Sequence, residues 1–389
     1  MPGKRKRKVL NGWNNNLVAF CFQNGLGNFI MLTPAIQALC EMHQAKADIV
    51  LDDSWTDSRR ASLENLCGSW PLVNKIVNYD KSFRADRYKQ LFYSRHGETS
   101  EAYSYFEDNA GYEATSINWR AEKLNEVDSY MNEVYNLGYR GAVPPVYCHP
   151  GRSSVIYANP INKHVNCFKM GLCNGFFAGS KWKWERKGWP HFRKLIELLI
   201  RFFGPGQFRI FLFGQGKNEK KWAEEVSEGF DNVVNTVDRL TFLETIQLLR
   251  QCHLFVTTDT GLMHVADAHK IPMITLFGPT LISKNGPYNK EHRTIRSPLK
   301  CAPCQQSPAF HVCEEWKCME VLRPEMVMAE VRDYTAQLVK DGKIKDFLTP
   351  IVRTAYIKWW EIQKGLIGQE AKKERGNRQI RGKRRGDIS

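Results

Sequence analysis

The sequence predicts an α/β protein of two doubly wound domains, each a parallel sheet covered by helices, facing each other across a cleft. Three observations lead there. Continuous apolar runs such as Leu-Val-Ala-Phe-Cys-Phe (17–22), Phe-Arg-Ile-Phe-Leu-Phe (208–213) and Met-Ile-Thr-Leu-Phe (273–277) suit strands buried on both faces. Glycine-containing turns follow these runs, and helical patterns follow the first two. The theme occurs twice along 389 residues, a length that lets each half bury its own core.

The first half opens with the 17–22 strand, the turn Gln-Asn-Gly-Leu-Gly-Asn (23–28) and a helix over Phe29 to Met42. A strand over Ala47 to Leu51, a helix over Asp57 to Cys67 and strands over Val73 to Val77 and Gln90 to Tyr93 continue the alternation. Residues 94–145 read as a loop-rich insertion carrying Tyr103, Tyr105, Phe106, Glu107 and Asp108, then a helix over Ala121 to Leu137; it lies over the cleft or is a surface excursion. After a weakly patterned stretch with Cys167 and Cys173, the second half continues through Lys-Trp-Lys-Trp-Glu-Arg-Lys-Gly-Trp-Pro (181–190) into an amphipathic helix ending at Phe203. The 208–213 strand runs into Gly214-Gln215-Gly216 and a helix over Glu219 to Glu228. A short strand, Val233 to Asn235, leads through Leu240 and Thr241 to a helix over Phe242 to Gln251, and a strand over Leu254 to Thr257 follows. The 273–277 strand ends in Gly278-Pro279-Thr280, and a last helix around Ile351 to Leu366 returns toward the first domain. The expected boundaries are a tail over 1–16, domains over 17–165 and 166–345, a helix within 346–368 and a second tail over 369–389.

Composition bounds the function. Hydrophobic residues at 42% and charged residues at 25% describe a globular protein. No apolar run approaches the roughly 20 residues of a membrane span, and the N-terminal Met-Pro-Gly-Lys-Arg-Lys-Arg-Lys lacks the apolar stretch of a secretory signal, so a cytoplasmic location is the default expectation. The net charge of +15 sits mainly in the tails: Lys4 to Lys8 are all basic, and residues 371–389 carry eight basic and two acidic side chains. Such segments are either solvated tails or contacts for a polyanion such as nucleic acid or an anionic membrane surface.

Eleven cysteines without an export signal argue against a disulfide framework. Seven are scattered and read as small buried hydrophobes. Cys301, Cys304, Cys313 and Cys318 are clustered as C-x2-C-x8-C-x4-C in a proline-rich segment. That spacing either folds around a structural zinc or iron ion, with His311 as a substitute ligand, or leaves four reduced thiols.

The chemistry concentrates in Thr-Thr-Asp-Thr-Gly-Leu-Met-His-Val-Ala-Asp-Ala (257–268), where a buried strand hands over to a helix. Free amides and the positive end of the helix dipole favour an anion there, and glycine lets a phosphate approach the backbone. Asp259, Thr260, Gly261 and His264 thus form a candidate diphosphate site. Taken singly, Asp259 or Thr260 reads equally as an ordinary N-cap.

This passage, together with Ile-Thr-Leu-Phe-Gly-Pro-Thr (274–280), resembles the heptosyltransferases of glycosyltransferase family 9, whose D-T-G-x-x-H and F-G-P-T elements occur at this separation. Gly-Asn-Phe-Ile-Met-Leu-Thr-Pro-Ala-Ile (27–36) is similar to the family's first loop and helix. Lys187-Gly188-Trp189-Pro190 is similar to its K-x-W-P element, and the cysteine segment to one that many members carry. The resemblance implies two Rossmann-like domains of the GT-B type and an inverting transfer from a nucleotide sugar, ADP-heptose as the first expectation. It implies Asp259, Thr260, Gly261 and His264 as contacts of the donor, and Lys187 as the cation that neutralises the leaving diphosphate. It further implies Glu219, after Gly214 and Gly216, at the ribose, Leu240 and Thr241 at the base, and Gly25, Gly27 and Asn28 as the acceptor loop. No catalytic metal is required.

One departure matters. The family usually has aspartate after the glycine of the first loop, as general base. Here Asn28 stands there, and an amide orients an acceptor without taking its proton. Glu98, Glu101, Glu107 and Asp108 of the insertion are the expected replacements. The acceptor is a lipopolysaccharide core on the resemblance alone; modified DNA or protein, held by the basic tails, is the alternative, and a noncatalytic nucleotide-sugar or nucleic-acid binding protein is the third.

Overall fold

The computed structural model describes residues 16–344 apart from 23–24, 52–54, 56, 81–82, 95–114, 117–123, 150–166, 176–182 and 205–207. The basic tails, the helix expected within 346–368, and Glu98, Glu101, Glu107 and Asp108 lie outside the described residues.

The first half contains β1 (Leu17–Phe22), α1 (Leu26–His43), β2 (Lys46–Leu51), α2 (Asp57–Cys67), β3 (Val73–Asn78), β4 (Gln90–Ser94), β5 (Thr115–Ser116) and α3 (Glu126–Asn136). Its five strands are parallel in the order β3-β2-β1-β4-β5. The second half contains β6 (Phe168–Cys173), α4 (Phe192–Phe203), β7 (Phe208–Phe213), α5 (Lys217–Ser227), β8 (Val233–Asn235), α6 (Phe242–Leu249), β9 (Leu254–Thr258), α7 (Gly261–Ala268), β10 (Met273–Phe277), α8 (Ile282–Asn285), β11 (His292–Arg296), α9 (Ala309–Val312), α10 (Lys317–Glu320) and α11 (Pro324–Lys340). Its six parallel strands run β11-β10-β9-β6-β7-β8. In both sheets the chain starts at a central strand, winds outward one way and then returns to wind the other way. The switch point, where ligand crevices open, falls between β1 and β4 in the first sheet and between β6 and β9 in the second.

The apolar runs behave as buried parallel strands do. Every residue of β9 and β10 is buried, as is β1 beyond its first residue. Phe168, Phe203 and Phe208 stack against one another in the second core, with centroids 4.6–6.2 Å apart. Trp189, fully buried, donates its indole N–H to Leu322 O at 2.7 Å, fixing the chain before α4 against the start of α11.

Several elements differ from the sequence expectation. Helix α1 begins at Leu26, so Gly27 and Asn28 occupy its first turn instead of a loop; only Gly25, extended at φ −71° and ψ 165°, precedes it. Helix α3 begins at Glu126 because Asn125 caps it, its side chain accepting from Val127 N at 3.0 Å. Strand β6 lies in the stretch that looked unpatterned: Lys169 and Gly171 interrupt its apolar run, yet a side chain at Gly171 would meet the rings of Phe255 and Phe213 at 2.8 and 2.9 Å. Strand β11, at a sheet edge with His292, Arg293 and Arg296, and helix α11, with Pro324 in its first turn, are further additions.

Candidate functional site

The site lies where the C-terminal ends of β6 and β9 meet the first turn of α1. Strand β9 ends in buried Thr257 and Thr258, and the Thr258 hydroxyl donates to Gly175 O at 3.1 Å, joining β9 to the residues that follow β6. Thr260 is the N-cap of α7, its hydroxyl accepting from Leu262 N at 3.1 Å, so the capping reading of this residue holds. Gly261 then opens the helix against α1: a methyl group on Gly27 would lie 2.8 Å from His264 Cδ2 and 3.2 Å from Gly261 Cα. Two helix N-termini, one from each half, therefore converge on one point, each with first-turn amides that lack helical partners.

Asp259 is 4% exposed, and among the described residues its Oδ2 accepts no hydrogen bond. Lys187 Nζ lies 3.6 Å from that oxygen and 5.0 Å from the Trp184 ring centroid. Local folding brings the lysine there. Trp189 exchanges two hydrogen bonds with Asn174, its N–H donating to Asn174 Oδ1 at 2.7 Å and its carbonyl accepting from Nδ2 at 3.1 Å, which ties the Lys-Gly-Trp-Pro turn to the end of β6. On the other side, the buried Arg186 guanidinium lies 4.5 Å over the Phe310 ring and donates to Phe310 O. Lys187 thus stands in a turn clamped from both sides, and a cation held beside an anion pocket suits phosphate recognition.

His264 is 5% exposed; burial pulls its proton affinity below the ordinary histidine value, and the charges of Asp259, Asp267 and Glu126 oppose that only in part. It stands neutral at pH 7. Asp267, buried one turn on, accepts from the amides of Tyr288 and Asn289 at 2.7 and 2.9 Å and so anchors the loop after α8. Gly216 is the N-cap of α5, at φ 107°, which favours glycine. Glu219 lies in the first turn of α5, buried, with its Cβ 2.9 Å from where a side chain on Gly214 would begin. Burial and the Glu219 charge push the Cys173 thiol, at the end of β6, up to about 12. Leu240 is half-buried; Thr241 is exposed and engaged in a capping box with Glu244, which leaves its hydroxyl committed to α6.

Sequence reasoning missed Glu126. Its carboxylate is buried and accepts from Asn28 Nδ2 at 2.9 Å and from the Tyr130 hydroxyl at 3.1 Å, while Lys284 Nζ of the second half lies 3.5 Å from its other oxygen. A signal existed: Glu126 shares its stripe of α3 with Val127, Tyr130, Met131 and Val134, all buried. Asn125 Nδ2 donates to Gly286 O at 2.9 Å and Tyr288 donates to Asp128 at 2.8 Å, so three successive contacts join α3 to the α8 region.

The cysteine segment braces the Gly278-Pro279-Thr280 turn. The amides of Cys304 and Gln305 donate to Pro279 O, and Gly278 sits against Met319 and Cys318 so closely that a Cβ would lie 2.5 and 3.0 Å from their sulfurs. Cys301 is exposed and Cys318 buried, where burial and the neighbouring thiols push it up to about 11. Among the described residues, no three His, Cys, Asp or Glu side chains converge as a metal ion requires, these four cysteines included. Among the same residues, no helix is long and apolar enough to cross a membrane.

Residues 169–312 match the sequence profile of Glycosyltransferase family 9 (heptosyltransferase). Lipooligosaccharide heptosyltransferase 2 of Campylobacter jejuni is 31% identical over 170 residues, 42% of this chain and 50% of that protein. The chain spans about half the length of the curated relatives it matches first. Among solved structures, ADP-heptose lps heptosyltransferase II of E. coli superposes with a TM-score of 0.59 at 18% identity, covering 83% of this chain and 99% of that one. The iron-containing dodecameric glycosyltransferase TibC of enterotoxigenic E. coli gives 0.50 at 13% identity, covering 83% and 77%. The resemblance seen in the sequence holds, and the fold is the GT-B fold of the heptosyltransferases.

Proposed function

We propose that this chain is an inverting glycosyltransferase that moves a heptose from ADP-heptose to a hydroxyl of a lipooligosaccharide core on the cytoplasmic side. The observation that carries the reading is the convergence of the α1 and α7 N-termini beside the Lys187–Asp259 pair. A nucleoside diphosphate sugar suits that point. The Gly261 amide at the start of α7 receives the diphosphate, and Lys187 neutralises charge as the bond to the anomeric carbon breaks. His264, kept neutral by burial, donates or accepts a hydrogen bond without repelling Lys187. Glu219 sits one strand over, between Gly214 and Cys173, where it can accept from ribose hydroxyls. Leu240, partly buried against the first core, is the proposed apolar contact for the base. Gly25, Gly27 and Asn28 border the acceptor side. The donor and acceptor are those in the names of the relatives.

The chemistry needs no metal. A structural zinc or iron ion at Cys301, Cys304, Cys313 and Cys318 is supported by their spacing and by the iron of one structural neighbour, TibC. Elemental analysis of the purified protein decides between one ion per chain and none.

The test of function is transfer from ADP-heptose to lipopolysaccharide core lacking its heptoses, read by mass spectrometry, with the anomeric configuration read by NMR. A product heavier by one heptose and inverted at the anomeric carbon supports the reading. Absence of ADP release with every nucleotide sugar tried refutes it.

A further inference from the structure

The following rests on the transferase reading above. An acceptor hydroxyl that attacks an anomeric carbon must lose its proton, and the Asn28 amide cannot take it. The structure does hold a carboxylate at this junction, one side chain removed. Asn28 directs its N–H to Glu126 Oε2 at 2.9 Å, which turns the amide carbonyl Oδ1 away from the carboxylate. Tyr130 donates to the same Oε2 at 3.1 Å. The other oxygen, Oε1, is buried and accepts no hydrogen bond among the described residues; its ionic partner is Lys284 Nζ, 3.5 Å away on the opposite half of the molecule.

That division of labour is the argument. A carboxylate whose role was only to hold α3 against α1 would have both oxygens hydrogen-bonded, since a buried anionic oxygen without a donor is costly. Here Oε2 is fixed by two donors, while Oε1 has the Lys284 ammonium 3.5 Å away and no hydrogen bond among the described residues, and that is the oxygen able to take a proton. The position is right for the chemistry. Glu126 makes its contacts with Asn28 of α1 and Lys284 of α8, and its charge is felt by His264 of α7, whose ring lies against Gly27.

We propose that Glu126 is the general base of the reaction, replacing the carboxylate that position 28 lacks. As the acceptor oxygen bonds to the anomeric carbon, its proton passes to Glu126 Oε1, giving a neutral carboxylic acid. The bond from the anomeric carbon to the diphosphate breaks with its electron pair leaving on the diphosphate. Asn28 Oδ1 accepts from the substrate and aligns it.

The experiment uses the full chain with ADP-heptose and heptose-deficient core, comparing wild type, E126Q, N28D and E126Q/N28D. Glutamine keeps the acceptor for Asn28 and Tyr130 but takes no proton. The expected result for E126Q is a kcat lowered by about 10²-fold or more, the range of general base catalysis. Its KM for the donor and the melting shift induced by ADP stay within about threefold of wild type. The groups facing Glu126 are Lys284, His264 and Tyr130, and E126Q leaves all three in place, so loss of the acidic limb of the kcat profile in E126Q assigns that limb to Glu126. E126Q/N28D regains at least about tenfold over E126Q, because the carboxylate returns at the neighbouring position. In N28D alone the two carboxylates repel, and the acidic limb moves to higher pH.

E126Q within threefold of wild type overturns the proposal, as does an unchanged acidic limb in E126Q or an unmoved one in N28D. A double variant no faster than E126Q also counts against it, since a purely structural Glu126 predicts that outcome. If wild type binds ADP but transfers nothing, the transferase reading itself falls and this proposal with it. That outcome is distinct from wild-type turnover that survives E126Q.

Discussion

Replacing Lys187 with methionine separates the two things its charge does. The ammonium lies 3.6 Å from Asp259 Oδ2, and the two side chains are 16% and 6% exposed. At an effective dielectric of about 20 the pair is worth roughly 4–5 kcal/mol of Coulomb attraction, most of it offset by the desolvation of both groups. Deleting the cation leaves a buried carboxylate oxygen with no hydrogen bond, so the expected loss of stability is about 2–3 kcal/mol. For a domain of this size that lowers the melting temperature by about 5–10 °C. In the proposed reaction the same lysine stabilises the departing diphosphate, so kcat is expected to fall by about 10²- to 10³-fold. The double variant K187M/D259N removes both charges: its melting temperature returns to within a few degrees of wild type, while kcat stays low. Thermal denaturation and ADP-release kinetics on the four proteins complete the cycle. Recovery of turnover in the double variant would refute the reasoning, because Lys187 would then act only by holding Asp259. Wild-type kcat in K187M would refute it equally.

Other predictions test separate parts of the account. Gly27→Ala places a methyl group 2.8 Å from the His264 ring and 3.2 Å from Gly261 Cα. Calorimetry should show ADP binding weakened by about tenfold or more, with a stability loss of about 1–3 kcal/mol from overpacking. Trp189→Ala, emptying a fully buried site and its hydrogen bond to Leu322, should cost about 3–5 kcal/mol in urea denaturation and lower activity through the released Lys187 turn. Burial lowers the proton affinities of His264 and His269, the latter to about 4, so the unfolded chain binds more protons than the native one below the ordinary value of 6.5. Stability therefore falls as pH drops from 6.5 toward 4, by at most about 1.4 kcal/mol per unit for each histidine. Asp267, pushed above 3.8 by burial, works in the opposite sense at the low end of that window. Melting curves across the range should flatten in His269→Gln.

The fold was legible where burial alone dictated composition. The strands 17–22, 208–213 and 273–277 and the helix 57–67 coincide with the structure, because inner parallel strands and amphipathic helices leave direct patterns, and 233–235 coincides as a half-buried strand at the sheet edge. Strand β6 was hidden by Lys169, whose ammonium is buried against Gln251 at 3.2 Å, and by Gly171, which makes room for two phenylalanine rings; both depend on partners far along the chain. In the site, Asp259, Thr260, Gly261 and His264 could be read because one strand-to-helix junction carries them all. Lys187 was readable from its motif, but its pairing with Asp259 was not. Glu126 was missed because its meaning arises only when α3 packs on α1, bringing it to a residue 98 positions away. The capping box that Thr241 forms with Glu244 was not legible, since its sequence position after a short strand does not reveal it.

The central claim is that a diphosphate sits where α7 begins, and a crystal structure of the protein with ADP tests it most directly. The account predicts the β-phosphate within hydrogen-bond distance of the Gly261 amide and of Lys187 Nζ, with the ribose at Glu219. ADP bound elsewhere, or a complex in which Lys187 remains on Asp259 and the first turn of α7 touches only protein, would contradict it.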